Sequence, residues 1–174
     1  MAYLIMILSV LSRLLPHPWN FSPVYGALLF GGARMNKRDS LWFPLALLGA
    51  SDFVLTNLMY HLHVGWHEAI QLAAFAAIVV IGWTLRGRIT IPRFTAACLA
   101  APLAFFLISN FGVWVGFKTY PPTWSGLVAC YVAAIPYQGR VAASTVLFAG
   151  IFFGLEYLYA AYIERSRKAQ AISG

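Results

Sequence analysis

Charge is what this sequence has least of. Asp and Glu together number five in 174 residues, and charged residues of both signs make up 10% of the chain. Soluble domains average about 25% charged and about 45–50% apolar residues. Here 61% are hydrophobic and the mean hydropathy is +0.74. A chain this short has no interior able to hide so much apolar surface. An ordinary soluble globule is excluded, and an integral membrane protein is expected. Cysteine is scarce too. Cys98 and Cys130 stand in apolar runs without CxxC spacing. They read as small core residues, with a disulfide as the alternative. Catalytic signatures are missing: there is no nucleophile–base pair, no paired-carboxylate motif and no phosphate-cradling loop. Gly31-Gly32 and Gly87 stand alone, and Ser109-Asn110 and Ser144-Thr145 have no His neighbour. The expectation is a protein that is not an enzyme and holds no metal or cofactor of its own. Met1–Leu15 lacks a basic n-region and a small-x-small cleavage site, so it is expected to stay as a helix and not to act as a signal peptide.

What the chain does have is apolar runs punctuated by cations. The stretch Leu15–Arg38 sets the pattern. Pro16, Pro18 and Pro23, interleaved with His17, Trp19 and Asn20, give an ordered turn. An apolar, Gly-rich helix follows, and Arg34, Lys37 and Arg38 close it. The spacing predicts six helices, at about Ala2–Leu15, Pro23–Ala33, Leu41–Leu58, Glu68–Leu85, Phe94–Asn110 and Val141–Ile163. Pro44 falls in the first turn of the third, where its missing donor costs least. Pro102 predicts a kink in the fifth. Residues 111–140 are rich in Gly, Pro, Trp and Tyr, and their apolar centre, Thr123–Ile135, is too short to span. A re-entrant or interfacial segment is expected there, on the outer side between helices five and six. The domain reading is one six-helix unit, 1–163, with a basic tail, 164–174.

Cations decide the orientation. The segments 34–40, 86–93 and 164–174 hold nine of the twelve Lys and Arg; Arg13, Lys118 and Arg140 lie elsewhere. Positive residues mark cytoplasmic flanks. An even number of spans with both termini cytoplasmic satisfies this, and the net charge of +7 is then an orientation signal and not a nucleic-acid surface. The outer side receives the 16–23 turn, the 59–67 loop and the 111–140 segment, which carry the His, the amides and many of the rings.

Several residues in these places carry possible chemistry. Asp52 and Glu156 fall inside predicted spans, where an ionisable group is a functional candidate by default. Arg13 and Arg140 are the available counter-charges. Two readings stand open: an internal ion pair tying helices together, or a polar floor to an outward pocket. His61, His63 and His67 share one loop with Tyr60 and Trp66. HxHxxxH spacing can gather metal ligands, and interfacial histidines with ordinary hydrogen bonds are the alternative. Trp19, Trp114, Tyr120 and Tyr131 fit either an aromatic belt or a pocket wall. Asn20, Asn57, Asn110 and Gln138 fit a site that orients a ligand through hydrogen bonds while rings enclose it.

The blocks RLLPHPWNFSPVYGALLFGGA, LALLGASDFVL, FLISNFGVWV and YPPTWSGLVACYVAAIPY resemble a family of small bacterial membrane proteins of unassigned function. That family is in turn similar to the S components, the substrate-binding subunits of energy-coupling factor (ECF) vitamin transporters. The resemblance implies a bacterial inner-membrane protein with a six-helix S-component-like bundle and an outward-facing site for a small vitamin-like solute, cobalamin among the candidates. It places His17, Trp19, Asn20, the His61–His67 loop and Asn110 to Tyr120 at that site. It also implies a partner, the ECF transmembrane and ATPase module. Here the sequence departs from the pattern: helix one, AYLIMILSVLSRLL, has no clear Ala-x-x-x-Ala face, and Ser9 and Ser12 are three apart and not four. A solitary transporter fits that departure better. The competing readings are a structural or accessory subunit of a larger membrane complex, and a membrane enzyme or haem or quinone carrier using His61 or His67.

Overall fold

The computed structural model describes residues 1–15, 20–59, 65–117 and 119–173. Six α-helices follow one another: α1 Ala2–Leu11, α2 Val24–Arg34, α3 Lys37–Phe53, α4 Trp66–Gly82, α5 Ile91–Gly116 and α6 Trp124–Ser173. A 3₁₀ turn, Ser12–Leu14, ends α1, another, Trp83–Leu85, ends α4, and α3 loosens into a π-helical stretch, Val54–Met59. No strand occurs among the described residues.

Length separates the helices into two groups. Three stretches are long and apolar enough to cross a bilayer: Glu68–Leu85, Ile91–Gly116 and Trp124–Ala171. The protein is thus an all-helical membrane protein. α2 has only 11 residues, about 16 Å at 1.5 Å per residue, against a hydrocarbon core of about 30 Å. Its surroundings explain this. Every residue from Val24 to Ala33 is buried, so α2 is a central column walled by protein. A helix apolar all round belongs in such a place.

Two close approaches seat that column. A Cβ at Gly26 would stand 2.6 Å from the backbone N of Ala149 on α6, and one at Gly32 would stand 2.3 Å from the carbonyl O of Val79 on α4. Glycine lets the backbones touch on both sides. The register of α2 against α6 is parallel: Gly26 meets Ala149, the rings of Phe30 and Phe153 lie 5.0 Å apart, and Arg34 reaches Glu156. α2 against α4 is parallel as well, with Tyr25 near Phe75 and Gly32 near Gly82. α5 runs against both α4 and α6: Gly112 packs on Ile70, and Asn110, Leu107 and Pro102 face Cys130, Tyr131 and Gln138.

The helix ends therefore gather at two rims. At the basic rim Arg86 donates to the carbonyl of Gly32 at 2.9 Å and to that of Met35. It satisfies the orphan carbonyls where α2 ends and places a cation at the negative pole of its dipole. The rings of Trp83 lie under Lys37 and Arg86. The other rim carries Trp66, Trp114 and Trp124. Between the rims, Leu99, Leu103, Leu107, Phe111 and Val115 are exposed at intervals of four along α5, which makes one continuous apolar face.

Three expectations are corrected. Residues 123–135 form no separate re-entrant segment: α6 runs unbroken from Trp124, through Pro136, to Ser173. Proline supplies a helical φ, and within a membrane bundle the freed carbonyl is tolerated. The basic stretch 164–173 continues the same helix. α3 begins at Lys37, so Pro44 lies in its interior and not its first turn. α5 is longer than expected at both ends. Cys98 and Cys130 are free and buried, which settles the disulfide question.

Candidate functional site

A cavity of about 390 Å³ opens between α2, α4, α5 and α6 in the half of the bundle towards the tryptophan rim. Its walls include Asn20, Tyr25, Gln71, Ser109, Asn110, Tyr137 and Gln138, with Phe105, Phe106 and Phe117 among the apolar lining. A second hollow of about 180 Å³ is lined by Arg13, Asn20, Ser22, Val24, Tyr25, Gln71 and Phe75. Asn20, Tyr25 and Gln71 belong to both, so the second hollow is a side room of the first.

The floor is aromatic. The Tyr25 ring meets Phe105 edge-on at 5.0 Å, and Phe105 stacks on Phe75 at 5.6 Å. Such pairs hold their geometry beyond what area burial alone gives. The polar walls come from amides already anchored at one end. Asn110 donates to the carbonyl of Phe106 at 2.8 Å, and Gln138 to that of Pro102 at 2.9 Å. Pro102 thus contributes an acceptor that holds Gln138 across the α5–α6 seam. Each amide keeps its carbonyl oxygen and a second N–H for other use. Gln71 and the Tyr25 hydroxyl make no hydrogen bond among the described residues, and Tyr25 is only 8% exposed. No buried side-chain polar atom lacks a partner among the described residues, so that hydroxyl opens onto the hollows. Asn20 adopts φ +58, a left-handed conformation that Asn accepts more readily than most residues.

Arg13 closes the side room. Its guanidinium donates to Ser51 Oγ at 2.7 Å and to Asp52 Oδ1 at 2.5 Å, and it lies 5.9 Å from the Phe75 centroid. Arg13–Asp52 ties the turn after α1 to α3, and the Arg13 cation also lines the side room. Glu156 is different. It does not pair with Arg140, which is exposed on α6; it accepts from Arg34 Nε at 2.7 and 2.8 Å. The parallel register of α2 and α6 brings Arg34 there. A larger hollow of about 540 Å³ adjoins this second pair. Its charged groups already satisfy each other, and it has no amide.

Of the residues expected at a site, Asn20, Asn110 and Gln138 converge on the main cavity and Arg13 on its side room. Asn57 does not; it bonds back to Phe53 within the π-helical stretch. Trp114 pins the α5–α6 turn through Pro121, and Tyr131 ties α6 to Leu107. Tyr120 sits in that turn without lining the cavity. His17, Trp19, His61 and His63 lie outside the described residues, and so does the side chain of His67. Among the described residues no three His, Cys, Asp or Glu gather as metal ligands. Sequence reading missed Tyr25, Gln71, Ser109 and Tyr137. Gln71 left a signal, a lone amide in the apolar run AIQLAAFAAIVVIG. Tyr25 left none.

Chemically, the arrangement offers anchored amides, hydroxyls and one braced cation around aromatic faces, with no carboxylate in either lining. Small-molecule pockets have this character, about 300–1,000 Å³ and mostly apolar with a few fixed polar groups. No curated protein and no solved structure matches the chain. A family model matches residues 1–169, so the chain belongs to the family of unknown function DUF6580.

Proposed function

We propose that the protein captures a small, ring-bearing, vitamin-like solute for uptake across a bacterial inner membrane. The supporting observation is the convergence of Asn20, Asn110, Gln71 and Gln138 on one aromatic-floored cavity at the rim opposite the basic one. In this reading all six helices cross or are enclosed within the membrane. The basic rim and both termini face the cytoplasm, as cations at the ends of spans favour, and the cavity opens outward. The architecture is then that of an S-component-like solute receptor. Helix one presents Leu4, Leu8 and Leu11 outward and no small-residue stripe, which favours a receptor working without the shared ECF module. Cobalamin has weak support: the cavity of about 390 Å³ suits a smaller solute.

The test is mass spectrometry of small molecules carried through purification by the wild-type protein, by Asn110→Leu and by Gln138→Leu. A single ring-bearing solute retained near one per chain, and lost in both variants, is expected. A wild-type protein that carries nothing, or one whose cargo survives both changes, contradicts the reading.

The second reading, an accessory subunit of a larger complex, draws on the end of α6. Tyr157, Tyr159 and Tyr162 are exposed there, just after the Arg34–Glu156 pair. Co-purification of a stoichiometric membrane partner that is lost when Tyr157, Tyr159 and Tyr162 are all changed to Ala would favour it.

A further inference from the structure

Among the described residues the main cavity has no charged side chain in its lining. Its polar walls are the carboxamides of Asn20, Gln71, Asn110 and Gln138 and the hydroxyls of Ser109 and Tyr25. Arg13 lines the side room and not this cavity, and it already donates to Ser51 and Asp52. An ionised group of a solute would leave water here without a counter-charge, which costs far more than moving a neutral polar group that finds hydrogen bonds. The lining therefore suits an uncharged solute.

What these walls offer is a donor and an acceptor side by side. A carboxamide carries its C=O and its NH₂ on one carbon. Asn110 and Gln138 each spend one N–H on a carbonyl of α5, that of Phe106 at 2.8 Å and that of Pro102 at 2.9 Å. Each is thereby held in place and keeps a carbonyl oxygen and a second N–H. Gln71 makes no hydrogen bond among the described residues and keeps its whole amide. A ring satisfies both halves of such a group when it presents an N–H next to a C=O, as a lactam, an imide or a cyclic urea does. An ester or a carboxylate brings no donor for the amide oxygen, and an amine no acceptor for the amide N–H. Either one strands a polar group in the wall. The floor asks for a flat solute, because Tyr25 meets Phe105 edge-on at 5.0 Å and Phe105 stacks on Phe75 at 5.6 Å.

We propose that the main cavity selects an uncharged, flat heterocycle with adjacent N–H and C=O groups, and that Gln71, Asn110 and Gln138 read that edge. The inference rests on the solute-receptor reading and narrows it to lactams, imides and cyclic ureas.

The experiment compares N–H rings with their N-methyl forms: uracil with 1,3-dimethyluracil, lumazine with 1,3-dimethyllumazine, and alloxazine with 1,3-dimethylalloxazine. Binding to the purified full chain is measured by calorimetry at pH 6.5. At least one N–H ring is expected to outbind its N-methyl form by about tenfold or more, the scale of one stranded polar group. Gln71→Met combined with Gln138→Met should bring that N–H ring down to the level of its N-methyl form. The N-methyl form should keep its wild-type affinity within about threefold, since replacing both partners of a hydrogen bond by apolar groups is nearly neutral. A methyl group that merely clashed would keep the preference in the double variant, and that result overturns the proposal. N-methyl forms that bind the wild type as well as their N–H rings overturn it too, and leave the receptor reading standing. If the double variant does not fold, the wild-type comparison decides alone. Where no ring of the panel binds, the solute retained through purification decides. A neutral solute with an N–H beside a C=O supports the proposal, and one without that edge overturns it while the receptor reading survives. No retained solute at all sinks both.

Discussion

At the residue scale the most consequential contact is Arg13 with Asp52. Their side chains are 16% and 9% exposed, so neither charge can fall back on bulk water. Arginine cannot shed its proton. Asp52→Leu alone should therefore destabilise the protein by about 2–3 kcal/mol, below the ~3–5 kcal/mol of a fully enclosed pair because Arg13 opens onto a hollow. Arg13→Met with Asp52→Leu should recover most of that loss, as read from unfolding midpoints in detergent. Arg34–Glu156 is more open, at 27% and 31%, and Glu156→Gln should cost under about 1 kcal/mol. At the basic rim, Asp39 accepts from the Tyr3 hydroxyl and the Trp42 indole, and these hold its carboxyl below the usual carboxylate range. A depressed folded-state value means the stabilisation is present above the unfolded value and is lost as pH falls through the folded one. Tyr3→Phe should move the Asp39 titration upward, measured by carboxyl NMR, and should flatten the acid limb of stability against pH. Asp52 was legible in the sequence because a carboxylate in an apolar run needs a partner, and Arg13 was within reach at the same rim. The partner of Glu156 was not. Arg34 read as a loop anchor, and only the parallel contact of α2 with α6 carries it to Glu156.

At the scale of elements, α2 governs the rest. Its length would be anomalous for a lipid-facing span and is natural for an enclosed column. Gly26 and Gly32 are its points of contact, and Gly32→Ala should cost about 1–3 kcal/mol, the range for forced overpacking. Gly154→Ala on α6 meets nothing within 4 Å and should be neutral or stabilising by up to about 1 kcal/mol, since alanine is the better helix former. A thermal unfolding series of the two variants checks both. The glycine-rich run and its boundaries were readable from Pro23 and Arg34. The course of α6 was not. Pro136 and Gly139 look like a break in a linear reading, and the turn residues Pro121 and Pro122 just upstream strengthened that impression. The helix continues because the seam with α5, through Tyr131–Leu107 and Gln138–Pro102, holds the chain on both sides of Pro136.

At the scale of the molecule, the account depends on two rims of different chemistry. Ser125 and Arg88 are both exposed and lie at opposite rims, while the native thiols are buried and free. Ser125→Cys in whole cells should react with a membrane-impermeant maleimide from outside, and Arg88→Cys only after the membrane is opened. The amides at 20, 110 and 138 could be picked out beforehand because uncharged polar groups at the ends of apolar runs have few other uses. Tyr25, Gln71 and the aromatic floor could not be assembled without knowing which helices are neighbours. The receptacle itself is tested most directly by thermal unfolding of the wild type and of Gln71→Leu combined with Gln138→Leu across a panel of vitamins and ring-bearing lactams. A specific member should stabilise the wild type by about 2.7 kcal/mol at a hundred times Kd and leave the double variant unmoved. Equal shifts in both proteins, or none in the wild type with any member, would contradict the account.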